Sequence, residues 1–85
     1  MFQGEKQIIT LKLKNELAGT VIDRFGQEVW MHPVDEEHFM VVVEIMVSNQ
    51  FFGWLTGLGG KAEILEPVWV REKYKMLLYD ILKDN

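Results

Sequence analysis

The feature that most constrains the fold is a run of nine residues, 39–47, that is rich in β-branched residues and contains neither glycine nor proline. Such a run favours a β-strand. Side chains alternate between the faces of a strand, so one face carries five apolar residues and the other carries Met40, Val42, Glu44 and Met46. This second face is too apolar for free solvation. The run therefore predicts a central strand that is covered on both faces.

Composition narrows the class of protein. With 85 residues the chain makes one domain, and a hydrophobic content of 48% excludes a disordered tail. No apolar run reaches the roughly 18 residues of a membrane span, and the N-terminus lacks the pattern of a signal peptide. The absence of cysteine favours a reducing cytoplasm. A net charge of −4 argues against a polyanion-binding surface for the domain as a whole, though not against a local patch.

Periodicity and capping residues predict seven elements. Strands are expected over residues 7–13, 28–34, 39–47 and 61–66, and helices over 16–25, 50–58 and 68–83. We expect Asn15 to cap the first helix, and Ser48 or Asn49 to cap the second. Gly26 and the Gly59-Gly60 pair are natural helix stops.

The order strand, helix, strand, strand, helix, strand, helix corresponds to two βαβ units joined by a hairpin. It predicts an α+β fold, a ferredoxin-like βαββαβ sandwich, in which a four-stranded antiparallel sheet carries two helices on one face plus a C-terminal helix. Right-handed crossovers place the strands in the order fourth, first, third, second. This domain is assigned to residues 7–85. Residues 1–6 are interpreted as a tail or a tag remnant, because Phe2-Gln3-Gly4 resembles the end of a protease-recognition sequence.

The last helix is apolar on two sides. Its core stripe is predicted to consist of Val70, Tyr74, Leu77, Leu78 and Ile81. Its other side carries Trp69, Met76, Tyr79 and Leu82 among charged residues. A helix of this kind is typical of an element that packs on its own core and also on a partner.

The predicted interface therefore has two parts. The sheet part consists of Trp30, His32, Met40, Val42 and Met46, and the helix part consists of Trp69, Met76 and Tyr79. The sequence leaves open which sheet face Trp30 and His32 occupy. Three covers are conceivable for the sheet: a partner protein, the chain's own last helix, or nucleic acid. We favour the partner protein, because Glu44 and Glu63 oppose nucleic acid.

No catalytic, cofactor-binding or metal-binding residues are assigned. His32 and His38 flank the acidic segment 35–37, which could hold a cation, but a solvated acidic turn is the simpler interpretation. Ser48 is the only serine, and its simplest role is a helix cap. The glycines within 57–60 follow a helix, whereas a phosphate site needs them before one. We expect a protein that is not an enzyme and has no cofactor.

Residues 51–67 carry a resemblance to a known family. They contain an apolar-Trp-Leu helix (Trp54, Leu55), a glycine, and an A-x-I-L-x-P strand end from Ala62 to Pro67. The chain resembles the C-terminal extension (WCX) domain of bacterial WYL-domain transcriptional regulators, over nearly its whole length from about residue 7. Further matches are Gly59, Ile64, Leu65, Val70, Arg71, Leu78 and Tyr79, together with segments 9–13 and 23–25. The family often has an Asp-Gly turn where this chain has residues 35–38, and the Trp-Tyr-Leu tripeptide of the neighbouring domain is absent.

The resemblance implies a function. The chain would be a fragment, or a stand-alone copy, of the non-catalytic terminal module of a DNA-binding regulator of the bacterial cytoplasm. Its partners would be the upstream WYL and helix-turn-helix domains of the same chain and a second copy of itself. It would mediate dimerisation and relay an effector signal, without itself binding nucleic acid or a membrane. The alternative is a small-molecule-binding regulatory domain, by analogy with ferredoxin-like amino-acid sensors.

Overall fold

The computed structural model describes residues 5–83, so the predicted remnant at residues 2–4 lies outside the described residues. The elements, in chain order, are β1 (Lys6–Lys14), a 3-10 turn (Asn15–Leu17) that leads into α1 (Ala18–Phe25), β2 (Met31–Pro33), β3 (His38–Met46), α2 (Asn49–Thr56), β4 (Ala62–Glu66) and α3 (Val68–Lys83). The predicted element order is confirmed. The bounds of the last helix match the prediction to the residue.

The four strands form one antiparallel sheet in the order β2-β3-β1-β4. This confirms the predicted α+β, ferredoxin-like fold and the predicted strand order. β1 and β3 are the two central strands and pair over their full length, from Lys6 opposite Met46 to Lys14 opposite His38. The run that dominates the sequence therefore lies in the interior of the sheet, as its composition requires.

One face of the sheet forms the core. Alternation turns Ile9, Leu11 and Leu13 of β1 toward the helices, and all three are completely buried. They meet a cluster that comprises Val21 of α1, Phe39, Val41, Val43 and Ile45 of β3, Val47, Phe51, Phe52 and Leu55 of α2, Ile64 of β4 and Val70 of α3. All three helices contribute to this cluster, so this face of the sheet is the covered one.

Of the two predicted helix N-caps, one is confirmed and one is wrong. Ser48 caps α2 as expected, because its hydroxyl oxygen accepts a hydrogen bond from the backbone N–H of Phe51 at 3.3 Å. The prediction that Asn15 caps the first helix is wrong. Its side-chain amide instead donates to the carbonyl oxygen of Glu36 at 2.9 Å, which ties the end of β1 to the β2–β3 hairpin.

The second strand is shorter than predicted. It covers only residues 31–33, because the backbone N–H of Val29 donates to the carbonyl of Gly26 and holds the preceding residues in a turn. The second helix is also shorter and ends at Thr56. Beyond it, the N–H groups of Leu58 and Gly59 each bond three residues back, a pattern that closes the helix with tight turns.

The first strand begins at Lys6, and the backbone N–H of Val47 donates to the carbonyl of Glu5 at 2.9 Å. Glu5 and Lys6 thus belong with the sheet. At the other end of the chain, the predicted core position Ile81 is half exposed. The reason is length: the 16 residues of α3 span about 24 Å, whereas the five residues of β4 on which α3 packs span about 17 Å.

Candidate interaction surfaces

The second face of the sheet is uncovered by the described part of the chain. We call it the open face and define it by the side chains that alternate with the core residues: Lys6, Ile8, Thr10, Lys12 and Lys14 of β1, His32 of β2, His38, Met40, Val42, Glu44 and Met46 of β3, and Glu63 and Glu66 of β4. Val42 lies at its centre and is 53% exposed, whereas its chain neighbours Val41 and Val43 are buried on the core face. A central strand with this much exposed apolar surface is typical of an interaction site.

The structure answers the question that the sequence left open about Trp30 and His32. His32 pairs with Met40 across β2 and β3, so it lies on the open face. The indole of Trp30 stacks on the His32 ring, with 5.2 Å between ring centroids and 27° between planes. Trp30 is 70% exposed. The five sheet residues of the predicted interface are therefore brought together on one surface.

The open face also includes Ile8, which the predicted interface omitted. Ile8 pairs with Glu44 and is strongly exposed. The alternation of β1 already placed Ile8 on the face of Thr10 and Lys12, so the sequence contained the information needed to include it. With Ile8, the exposed apolar surface includes a side chain from each of the two central strands.

The helix part of the predicted interface forms a second, separate surface, which we call the outer face of α3. Trp69, Met76 and Tyr79 lie on the side of the helix opposite Val70, which is completely buried. Met76 is 68% exposed and Tyr79 is 72% exposed. The helix therefore does have one side on the core and one side free of contacts with the core, as the two-sided pattern predicts.

The charges on the open face are balanced. Register places three lysines there (Lys6, Lys12, Lys14) and three glutamates (Glu44, and Glu63 and Glu66 on β4). Lys14 lies 3.4 Å from Glu37, and Arg71 of α3 lies 3.6 Å from Glu63, measured between nitrogen and carboxylate oxygen. Among the described residues, no ion pair includes Lys12 or Glu44.

The β2–β3 hairpin is organised by Asp35. One of its carboxylate oxygens lies 2.9 Å from Nδ1 of His38 and accepts a hydrogen bond from the backbone N–H of Glu37 at 2.8 Å. The hydrogen bond with His38, followed by that from the Glu37 N–H, lowers the pKa of Asp35 below its ordinary value. Within residues 5–83, no three His, Cys, Asp or Glu side chains are grouped as a metal site would need. The geometry is that of a solvated turn.

A cavity opens where β3 leads into α2. Its volume is about 610 Å³, and its lining includes Met46, Ser48, Asn49 and Lys73. Cavities of about 300–1,000 Å³ hold small ligands in many proteins. This one is open and partly polar, and its lining brings the first residues of α2 together with Lys73.

The structure is thus a small α+β domain with two exposed apolar faces. The chain matches the family model of the WCX domain over residues 5–82, nearly its whole length. It therefore belongs to the WCX domain family, a family of regulator-associated domains, and the resemblance seen in the sequence is confirmed. No curated protein and no solved structure gave a significant match. In the described part of the chain, no helix has the length and apolarity needed to cross a bilayer.

Proposed function

We propose that this chain is the non-catalytic C-terminal module of a cytoplasmic bacterial DNA-binding transcriptional regulator. In this role it mediates dimerisation and relays an effector signal from a neighbouring WYL domain to the rest of the regulator. Membership of a regulator-associated family supports this role. The observation that carries the proposal is the open face, on which central-strand side chains remain exposed to solvent.

The two exposed faces suit a relay because they lie on different elements. The open face belongs to the sheet, whereas the outer face of α3 belongs to a helix whose opposite side reaches the core at Val70. A partner on each face would be connected through α3 and β4, which pack directly on each other. In the proposed arrangement, the open face binds a second copy and the outer face of α3 contacts the neighbouring domain.

The groups that most often perform chemistry are engaged in holding the fold. The hydroxyl of Ser48 caps α2, and Nδ1 of His38 is bonded to Asp35. His32 is stacked under Trp30. These contacts support a binding role for this domain over a catalytic one.

Self-association of the chain tests the proposal. Sedimentation equilibrium should show a reversible monomer–dimer equilibrium between micromolar and millimolar concentrations. Val42→Glu places a charge at the centre of the open face and should shift the equilibrium to monomer, because a desolvated unpaired charge is unfavourable. Val68→Glu makes the same change at an exposed position of α3 and serves as the matched control. A wild-type chain that remains monomeric throughout would contradict the dimerisation role.

A second candidate function is small-molecule binding, favoured by the cavity at the start of α2. The cavity lies at a strand–helix junction and carries Lys73 beside the first turn of the helix, an arrangement suited to an anionic group. A thermal-shift screen of amino acids and nucleotides tests it, with Lys73→Ala as the control for any hit. A melting temperature that rises equally in wild type and in Lys73→Ala would argue against this cavity as the site.

A further inference from the structure

We infer that a second copy of this chain docks on the open face about a two-fold axis over the Thr10–Val42 pair, with Lys12 of each copy paired to the partner's Glu44. The inference rests on the dimerisation role proposed above, and it adds the symmetry axis, the register and the charge pair. It follows from where the strand register places two charges that form no ion pair among the described residues. Lys12 lies opposite Glu63 of β4, but the carboxylate of Glu63 is 3.6 Å from Arg71 and forms its ion pair there.

The register of the central strands sets the pattern. Ile8 is opposite Glu44, Thr10 is opposite Val42, and Lys12 is opposite Met40. Lys12 and Glu44 therefore occupy opposite corners of a parallelogram centred on the Thr10–Val42 pair. With strands about 4.8 Å apart and a rise of about 3.3 Å per residue, these corners are about 14 Å apart. This is too far for a salt bridge within one copy.

Consider a two-fold axis that runs between two stacked sheets, passes over this centre and is perpendicular to the diagonal from Lys12 to Glu44. This axis exchanges the two corners. It places Lys12 over the partner's Glu44, and symmetry creates the same pair a second time. The diagonal between the corners is tilted by about 20° from the strands, so the strands of the two sheets cross at about 40°. That angle is near the roughly 30° at which aligned sheets pack. The same operation brings Met40 toward the partner's Trp30.

Charge balance also favours the open face over the rest of the surface as the place where a second copy docks. The chain carries a net charge of −4, so two copies repel each other on average. The open face holds equal numbers of lysines and glutamates, so the excess negative charge lies elsewhere on the molecule. Docking through the open face therefore brings together two surfaces on which lysines and glutamates balance, and it keeps the excess negative charges apart.

The size of the face predicts how strong the dimer is. At about 4.8 Å by 3.3 Å for each strand residue, the four strands cover roughly 400 Å² in projection on each copy. Two such faces bury less than the roughly 1,200 Å² at which stable interfaces begin. The expected dimer is therefore weak and depends on concentration, a regime in which one charge pair has a measurable effect.

Charge exchange tests the register. Lys12→Glu alone and Glu44→Lys alone each oppose like charges twice in a homodimer, and each should raise the dissociation constant by about tenfold or more. An equimolar mixture of the two variants should form a heterodimer as strong as the wild-type dimer, because both contacts then pair opposite charges. The double variant Lys12→Glu/Glu44→Lys should likewise regain self-association. Asp23→Lys, which makes the charge change of Glu44→Lys on exposed α1, should leave the wild-type equilibrium unchanged.

The outcomes separate the inference from the proposed function. A wild-type dimer whose strength is unaffected by both single exchanges overturns the register, while dimerisation itself stands. Single exchanges that weaken the dimer without recovery in the mixture or in the double variant also overturn the pairing of Lys12 with Glu44. A chain that stays monomeric up to millimolar concentration overturns both the inference and the dimerisation role.

Discussion

The indole of Trp30 stacks on the imidazole of His32, with ring centroids 5.2 Å apart, and the pair lies at the β2 edge of the open face. His32 is fixed by its pairing with Met40, so the stack is aligned with the central strands. Large aromatic side chains at exposed positions are the residues that dominate binding energies in interfaces. This pair is therefore the anchor expected of the open face.

Trp30→Ala should weaken self-association more than it weakens the fold. Loss of an aromatic anchor costs about 2 kcal/mol of binding free energy, which raises the dissociation constant by about 30-fold. The side chain is mostly exposed in the monomer, so the free energy of unfolding should change by only about 0.5 kcal/mol. Sedimentation equilibrium and urea unfolding measure the two effects. Trp69→Ala on the outer face of α3 is the control, and an equal loss of association in that variant would count against the open face.

Leu55 and Leu82 offer a matched pair that tests which side of the molecule is the core. Leu55 of α2 is 2% exposed, whereas Leu82 in the last turn of α3 is 75% exposed. Leu55→Ala removes buried methyl groups and should lower the free energy of unfolding by about 2–5 kcal/mol. Leu82→Ala should change it by about 0.5 kcal/mol or less. Chemical denaturation measures the free energy of unfolding of both variants. Comparable losses in the two would place the end of α3 in the core.

Much of this fold could be predicted because its cause is local. The two faces of β3 follow from alternation, the strand order follows from crossover handedness, and Ser48 has the side chain that an exposed helix start requires. The start of α3 could be predicted because Pro67 precedes its first residue, Val68.

The features that sequence reasoning missed depend on contacts between distant residues. Asn15 is an acceptable cap in isolation, but its side-chain amide donates to the carbonyl of Glu36, 21 residues away. The face of Trp30 could not be read from a three-residue strand, because the pairing of His32 with Met40 sets it. Ile81 fits the helical core stripe, yet α3 is longer than β4, the strand on which it packs, and Ile81 remains half exposed. Helical periodicity gives no information about the length of the neighbouring strand.

The cap at Ser48 should have a measurable effect on stability. Its hydroxyl satisfies the N–H of Phe51, whose side chain is buried in the core. Ser48→Ala removes this acceptor and should lower the free energy of unfolding by about 1 kcal/mol, whereas Ser48→Asp retains an acceptor and should stay close to wild type. Thermal or urea unfolding provides the measurement. If alanine and aspartate behave alike, the hydroxyl is not acting as a cap.

Asp35 should make the stability of the hairpin depend on pH in acid. Its pKa is lowered in the folded state, first by the hydrogen bond with His38 and then by that from the Glu37 N–H, whereas in the unfolded chain it has its ordinary value of 3.8. The unfolded state therefore binds the proton more readily. The resulting stabilisation is fully present above the ordinary pKa and is lost as the pH falls through the lowered folded value.

Asp35→Asn removes the titrating group and should flatten this part of the profile. Urea unfolding in small pH steps below neutrality should show wild-type stability falling more steeply than that of the variant once the pH drops below about 4. Above that pH the variant should be less stable than wild type, since the charge-assisted bond to His38 is gone. Glu36→Gln makes the same chemical change one residue further on and should keep the wild-type slope. Parallel profiles for wild type and Asp35→Asn would show that the carboxylate does not hold the hairpin.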